Sequence, residues 1–311
     1  MAARIFVFGS YFADMVMGTP RLPRRGETVA GGPFRTSHGG KGSNQAVAAR
    51  RAGAEVVFAT RLGDDDAGRS ALRMLAEEGI DARHAAIDRD GVATGAALIM
   101  VEDGSAENMI TLAMGACGHF TDAEVDAAVA GGSGCAVALF QLETNLPATL
   151  RAIRAMRAAG ARTILNPAPA RELPADIYPH VDVLTPNETE AAMLAGVDTS
   201  EEAGIRAAAR ILLGRGCGTV VVTMGAKGVL ALSRDGLEAI VPAAPGIVPV
   251  DTTGAGDSFA GCLACALGEG LDLPRALRFA NAGAGLSTTR HGAAPSMARR
   301  AEIEALLARG G

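Results

Sequence analysis

Short apolar or β-branched runs alternate along the chain with longer stretches of helical periodicity, and Gly, Pro, Asn or Asp bounds each run. The runs Ile5–Phe8, Val56–Thr60, Ala136–Phe140, Thr163–Asn166, Val181–Leu184 and Val220–Thr223 predict core strands. Helices are predicted over Ser43–Ala52, Ala67–Glu78, Pro147–Ala159, Glu188–Leu194, Glu201–Leu213, Gly256–Leu267, Pro274–Leu286 and Arg299–Leu307. Apolar positions at helical spacing, such as Ala203, Ala207 and Ile211, or Leu72, Leu75 and Ala76, mark buried faces. Strand and helix in strict alternation read as βαβ units, hence an α/β fold with a mostly parallel sheet.

Two stretches break the alternation. Met15–Ser37 holds extended pieces (Glu27–Ala30, Phe34–Ser37) split by Pro20, Pro23, Gly31, Gly32 and Pro33, while Thr94–Val101 and Met109–Ala113 flank the polar turn Glu102–Asn108. Both read as antiparallel hairpins. Lacking helices, residues 12–38 and 92–114 are expected to meet as a small β-sheet lid over one edge of a single domain spanning 1–311.

Composition narrows the class. A chain of 311 residues, 49% hydrophobic and 20% charged, buries a large core and is not disordered. A net charge of −5 without long charged blocks, no Trp and two Tyr speak against a nucleic-acid surface or an anionic-membrane surface. No apolar run approaches the ~20 residues of a membrane span or the shape of a signal peptide, so a soluble protein is expected. Five scattered cysteines fit a reducing, cytoplasmic setting better than a disulfide framework. Cys262 and Cys265 read as core in an apolar helix, and the five histidines suggest no metal cluster. Arg24–Arg25, Asp64–Asp66 and Arg299–Arg300 read as solvated surface.

The segment richest in chemistry is Asp251-Thr252-Thr253-Gly254-Ala255-Gly256-Asp257, set directly before an apolar helix. Small residues at a helix start leave backbone N–H groups free to meet an anion, where the macrodipole favours negative charge. A carboxylate in that same turn can accept a proton from a hydroxyl attacking a phosphoryl group. Taken alone, Asp257 reads equally as an ordinary first-turn carboxylate. A second glycine cluster, Gly39-Gly40-Lys41-Gly42-Ser43-Asn44, does not match the P-loop pattern G-x-x-x-x-G-K-[ST]. Its exposed backbone and the Asn44 amide can line a polyol pocket, or simply cap a helix. The first βα turn, Gly9 to Asp14, lacks G-x-G-x-x-G, which disfavours a nicotinamide oxidoreductase.

Six segments in one order resemble ribokinases and the wider PfkB sugar-kinase family: Gly39–Asn44, Gln141-Leu142-Glu143, Asn166–Arg171, Thr185–Glu190, Thr223–Gly228 and Asp251–Asp257. The resemblance implies a three-layer αβα sandwich with a β lid and ATP-dependent phosphorylation of a sugar primary hydroxyl, with a pentose as the acceptor. It implies Asp257 as base beside an anion hole of Gly254, Ala255 and Gly256. Phe12, Asp14, Gly40, Lys41, Asn44 and Glu143 would line the sugar site. Asn187 and Glu190 would lie near the phosphates and Mg²⁺. Thr223, Gly225, Lys227 and Gly228 would contact ATP, as would Gly256, with Asn281 close to the adenine. Asp251, Thr253, Ser287, Arg290, Gly292 and Ser296 would ring a K⁺ ion, mostly through carbonyl oxygens, and the lids would pair in a homodimer. Taken alone, Glu190 reads as a surface carboxylate and Thr223–Gly228 as a turn between strands. Phe12 departs from the pattern, because ribokinases usually carry there an Asn that hydrogen-bonds a sugar hydroxyl. Ser43 and His38 also vary around the sugar loop. Deoxyribose and nucleosides thus remain alternative acceptors. A non-catalytic sugar sensor is disfavoured by the intact Asp257 and glycines.

Overall fold

The computed structural model describes residues 2–104 and 107–309. The expected turn Glu102–Asn108 therefore includes two residues, 105 and 106, outside the described residues, as are 1, 310 and 311 at the ends. In chain order the first strands are β1 (Arg4–Phe8), β2 (Phe12–Thr19) and β3 (Phe34–Gly39), followed by helix α1 (Lys41–Arg51). Then come β4 (Glu55–Ala59), β5 (Arg61–Gly63), α2 (Asp66–Glu77), β6 (Ala86–Asp88), β7 (Ala96–Glu102) and β8 (Asn108–Ala113). The middle of the chain holds α3 (Asp122–Gly131), β9 (Val137–Phe140), α4 (Leu146–Ala158), β10 (Arg162–Leu165) and β11 (Val183–Leu184). It continues with α5 (Glu188–Ala195), α6 (Glu202–Gly214), β12 (Thr219–Thr223), β13 (Val229–Ser233) and β14 (Glu238–Val241). Helices α7 (Ala255–Gly268), α8 (Leu273–Ser287) and α9 (Arg300–Arg309) complete the chain.

The central sheet runs β14-β13-β12-β11-β10-β9-β1-β4, parallel from β4 to β12 with β13 and β14 antiparallel at one edge. Period-2 alternation feeds both faces of that sheet. Ile5 and Val7 of β1 pack into the core of α1, α2, α7, α8 and α9, whereas Phe6 and Phe8 pack into the core of α3, α4, α5 and α6. This is the expected three-layer α/β sandwich. Helix α3 and strands β5, β6, β13 and β14 are additions to the predicted set.

The lid is a four-stranded sheet, β3-β2-β7-β8, but it is not two hairpins meeting edge to edge. Phe34–Gly39 pairs with Phe12–Thr19, not with Glu27–Ala30, which lies outside any strand, and β2 pairs with β7 in parallel. The prolines and glycines of residues 20–33 remove ladder donors and favour turns, and a salt bridge between Arg21 and Glu27 closes that loop on itself. Asp65 is more than surface, since it caps α2 and accepts from the Thr94 backbone and hydroxyl at 2.7 Å each. Arg300 likewise pairs with Glu269 and Glu304 and lies over the Phe279 ring.

Sequence order reverses between β1 and β9, since the chain goes from β1 outward to β4 and returns to β9 on the other side. Such a switch point opens a crevice beyond the carboxyl ends of the strands. Helices α1 and α7 flank it and touch closely. A Cβ at Gly261 of α7 would lie 2.5 Å from the Gln45 carbonyl oxygen and 2.6 Å from Ala48 Cβ of α1, so only glycine permits this approach.

Candidate active site

Most residues of the candidate site follow the carboxyl end of a parallel strand or open a helix facing those ends, while Phe12 and Asp14 come from lid strand β2 and Asn281 from within α8. Ser10 follows β1, Gln141 and Glu143 follow β9, Asn166 follows β10, Thr185 and Asn187 follow β11, and Thr223 ends β12. The glycine cluster leads from β3 straight into α1, with Gly40 as N-cap at φ 88°. Helix α1 thus begins at Lys41, two residues before the predicted start. A side chain at Gly39 would collide with Asp14, its Cβ 2.1 Å from Asp14 Oδ2, so glycine lets the carboxylate press against the sugar loop.

Asp257, in the first turn of α7, is buried at 6% exposure. Asn44 Nδ2 donates to its Oδ2 at 3.0 Å, and Gln45 Nε2 donates to its Oδ1 at 2.9 Å. Glu143 Oε2 accepts from Ser10 Oγ at 2.6 Å and from the Lys41 backbone at 2.8 Å. Burial raises the Glu143 and Glu190 carboxyls above their ordinary range. Burial, then the nearby charges of Glu143 and Asp257, push Asp14 up to about 7. Asp257 holds the Lys41 ammonium in its charged form against burial, and Glu143 and Glu190 add to that pull. Asn44 Oδ1 is buried without a hydrogen-bond partner among the described residues.

The turn before α7 has Gly254 as a left-handed N-cap at φ 77°. The Ala255 N–H donates to Thr252 O at 3.2 Å, while the amides of Gly254, Gly256 and Asp257 have no hydrogen-bond acceptor among the described residues. Of the three residues that the resemblance implies for an anion hole, Gly254 and Gly256 leave their amides free and Ala255 does not; the Asp257 amide is free as well. These amides open onto a cavity of about 190 Å³ that Lys41, Asn187, Glu190 and Asp257 also line. A second, mostly apolar cavity of about 360 Å³ adjoins it, sharing Thr223, Thr252, Ala255, Gly256 and Phe259. Gly225, Gly228 and Asn281 line this second cavity; Lys227 is exposed and lines neither. Asn281 Nδ2 also donates to the carbonyls of Val241 and Pro242, at 3.1 and 3.0 Å.

Asn187 and Glu190 form a reciprocal cap on α5: the Asn187 N–H donates to Glu190 Oε2 at 2.9 Å and the Glu190 N–H to Asn187 Oδ1 at 2.8 Å. Glu190 faces the cavity from that cap. Asp251 staples two loops, accepting from the Thr253 N–H and the Gly292 N–H at 2.9 Å each. The hydroxyls of Ser287 and Ser296 turn back to the carbonyls of Ala284 and Ala293, and Arg290 pairs with Glu302. The Arg290 guanidinium is thus committed elsewhere, while the two serine hydroxyls have their hydrogens engaged and keep oxygen lone pairs beside the main-chain carbonyls. Phe12 lies on the same face of β2 as Asp14, 1% exposed, where a Cβ at Gly95 would lie 2.4 Å from its ring.

Sequence reasoning missed three amides. Gln45, Gln141 and Asn166 form a buried chain behind Asp257, with Gln141 Nε2 donating to Gln45 Oε1 at 2.7 Å and Gln45 Nε2 to Asn166 Oδ1 at 3.0 Å. For Gln45 the available signal was a polar residue directly before the small, apolar stretch Ala46–Ala49.

Residues 2–300 match the pfkB family carbohydrate kinase profile. A ribokinase of Haemophilus influenzae is 39% identical over 302 residues, covering 97% of each chain. A deoxyribokinase of Salmonella typhi is 36% identical over 290 residues, covering 93% of each. The structure of Arabidopsis thaliana ribokinase complexed with ribose and ATP superposes with a TM-score of 0.90 at 30% identity, covering 99% of both chains.

The raised Asp14 carboxyl gives a pH prediction. A carboxylate accepts from two hydroxyls, whereas its protonated form donates one hydrogen and loses acceptor capacity. A sugar site that uses Asp14 as its acceptor requires the ionised form, so kcat/KM for the sugar should fall about tenfold per unit as pH drops below about 7. That limb should flatten in Asp14→Asn, measured at saturating ATP; an identical limb in the variant assigns it to another group.

Proposed function

The chain belongs to the pfkB family of carbohydrate kinases, and on that premise we propose that it transfers the γ-phosphoryl group of ATP to the primary hydroxyl of a pentose, with Asp257 as base. The observation that supports this most is the position of one carboxylate. Asp257 touches the sugar loop through Asn44 on one side and lies in the turn of free amides on the other. Asp14, Asn44 and Glu143 hold the sugar, and the apolar cavity beside Asn281 takes the adenine. The sugar oxygen attacks the γ-phosphorus, the bond to the β-phosphate oxygen breaks with its electron pair leaving on ADP, and the hydroxyl proton passes to Asp257. Amides at Gly254, Gly256 and Asp257 meet the charge of the transferred group without reorganising.

Glu190 and Asn187 fit Mg²⁺ as partners of a nucleotide-borne ion: they offer hard oxygens, and among the described residues no group of three or more His, Cys, Asp or Glu makes a dedicated cage. Bound there, Mg²⁺ would neutralise phosphate charge. Backbone carbonyls beside Asp251 suit K⁺, an ion that would fix the amide-out turn. All five cysteines are unpaired, which supports a reducing compartment. Strand register puts Met15, Met17, Phe34, Leu98 and Met109 on one lid face, each at least a third exposed, a face suited to a second copy of the lid. Light scattering at micromolar concentration should show a dimer, and KCl should activate above NaCl at matched ionic strength; a monomer, or equal rates, refutes the respective part.

Asp257→Asn should lower kcat at least 100-fold with ATP binding nearly unchanged. Near-normal turnover in that variant contradicts the assignment.

Phe12 favours 2-deoxyribose over ribose. It offers no donor or acceptor beside Asp14, and Ala97 and Leu112, opposite one another and aligned with Asp14 in the lid, are apolar as well. A ribose hydroxyl pressed against that surface loses a hydrogen bond at about 1–3 kcal/mol, roughly 5- to 150-fold in kcat/KM. A panel of ribose, 2-deoxyribose and a purine nucleoside should rank deoxyribose above ribose, and Phe12→Asn should narrow or invert that gap. Ribose as best substrate with an unaltered ranking in Phe12→Asn defeats this specificity.

A further inference from the structure

The amide chain behind Asp257 has a direction that chemistry fixes. The Thr185 backbone carbonyl only accepts, so Asn166 must turn Nδ2 towards it, at 2.9 Å. Asn166 Oδ1 then faces Gln45, which must present Nε2 in return, at 3.0 Å. The second hydrogen of that same nitrogen meets Asp257 Oδ1 at 2.9 Å. Gln45 Oε1, left facing the other way, accepts from Gln141 Nε2 at 2.7 Å. Turning the Gln45 amide over would set its oxygen against both Asn166 Oδ1 and the carboxylate of Asp257, two acceptors in a buried site. One orientation survives.

We propose that Gln45 is a positioning residue for phosphoryl transfer: it pins Asp257 through Oδ1, so that Oδ2 is the oxygen presented to the sugar hydroxyl. Among the described residues Oδ2 accepts only from Asn44 Nδ2, at 3.0 Å, and Asn44 belongs to the sugar loop. Gln45 itself is completely buried and lines neither cavity, so it acts on the substrate only through Asp257. A carboxylate free to rotate about its terminal bond would spend part of its time with neither oxygen aligned for the proton, and holding it removes that loss. The arrangement also spans the site. Asn166 lines the phosphate-side cavity, so the same nitrogen that holds the base is tied to the wall of that cavity. The inference rests on Asp257 as the base.

Gln45→Met keeps the length and bulk of the side chain and removes both donors. Its kcat should fall about 10- to 100-fold, with KM for sugar and for ATP within about threefold of the parent and melting temperature measured in parallel. Gln141→Met leaves both Gln45 contacts but removes the bond that holds the Gln45 oxygen, and kcat should fall by a smaller factor, about three- to tenfold, again with KM unmoved. If Gln45→Met does not fold, Gln141→Met decides the matter. Unchanged kcat in the folded variants, or a loss that appears equally in KM or follows the folded fraction, overturns the positioning role. Asp257→Asn separates the two readings: if it loses turnover while Gln45→Met keeps it, only the positioning role falls.

Discussion

The structure turns on one buried contact between two helix starts. Asp257 enters the first turn of α7 at the point where α1 crosses it, and two consecutive residues of α1, Asn44 and Gln45, each give an amide hydrogen to one of its oxygens. A carboxylate with 6% exposure needs such partners, because an unpaired buried charge costs several kcal/mol. The partners can reach it only because the helices approach to a distance that Gly261 allows. Sheet order, glycine turns and helix packing all serve this contact, since α1 brings the sugar loop and α7 brings the free amides.

Charge is the second constraint. Asp14, Glu143, Asp257 and Glu190 all act on one another or on Lys41, the cation that lines the phosphate-side cavity. One ammonium faces four carboxylates, and burial, then the charges of Glu143 and Asp257, push Asp14 up to about 7. On the far side of Asp257 the free backbone N–H groups of Gly254 and Gly256 share one cavity with Lys41, so amide dipoles and one ammonium together provide the positive end there.

Much of this was legible in the sequence. The strands from Ile5–Phe8 to Val220–Thr223 announced themselves as short apolar runs, and in the two glycine turns Gly39, Gly40 and Gly42 stand where a Cβ would strike a neighbour while Gly254 takes a left-handed φ of 77°. What stayed hidden depends on contacts distant in sequence. Nothing local shows that β2 pairs with β7 in parallel, because a strand's partner is set by the fold and Phe12–Thr19 mixes polar and apolar residues like any edge strand. Gln45 and Gln141 stand 96 residues apart, and each alone looks like a polar residue tolerated in a helix or loop. Lys227 shows the opposite case: its neighbours Gly225 and Gly228 line the apolar cavity, whereas Lys227 itself is exposed and outside that lining.

The claim that unites these observations is that one carboxylate, set between a polyol site and a hole of backbone amides, directs a phosphoryl group onto a primary hydroxyl. The identity of the phosphorylated oxygen tests it most directly. With ATP, Mg²⁺ and 2-deoxyribose, ³¹P-coupled proton NMR of the product should show a phosphomonoester whose phosphorus couples to the two protons of the primary methylene carbon. Coupling to the single anomeric proton, or ADP release without any sugar phosphate, would contradict the account.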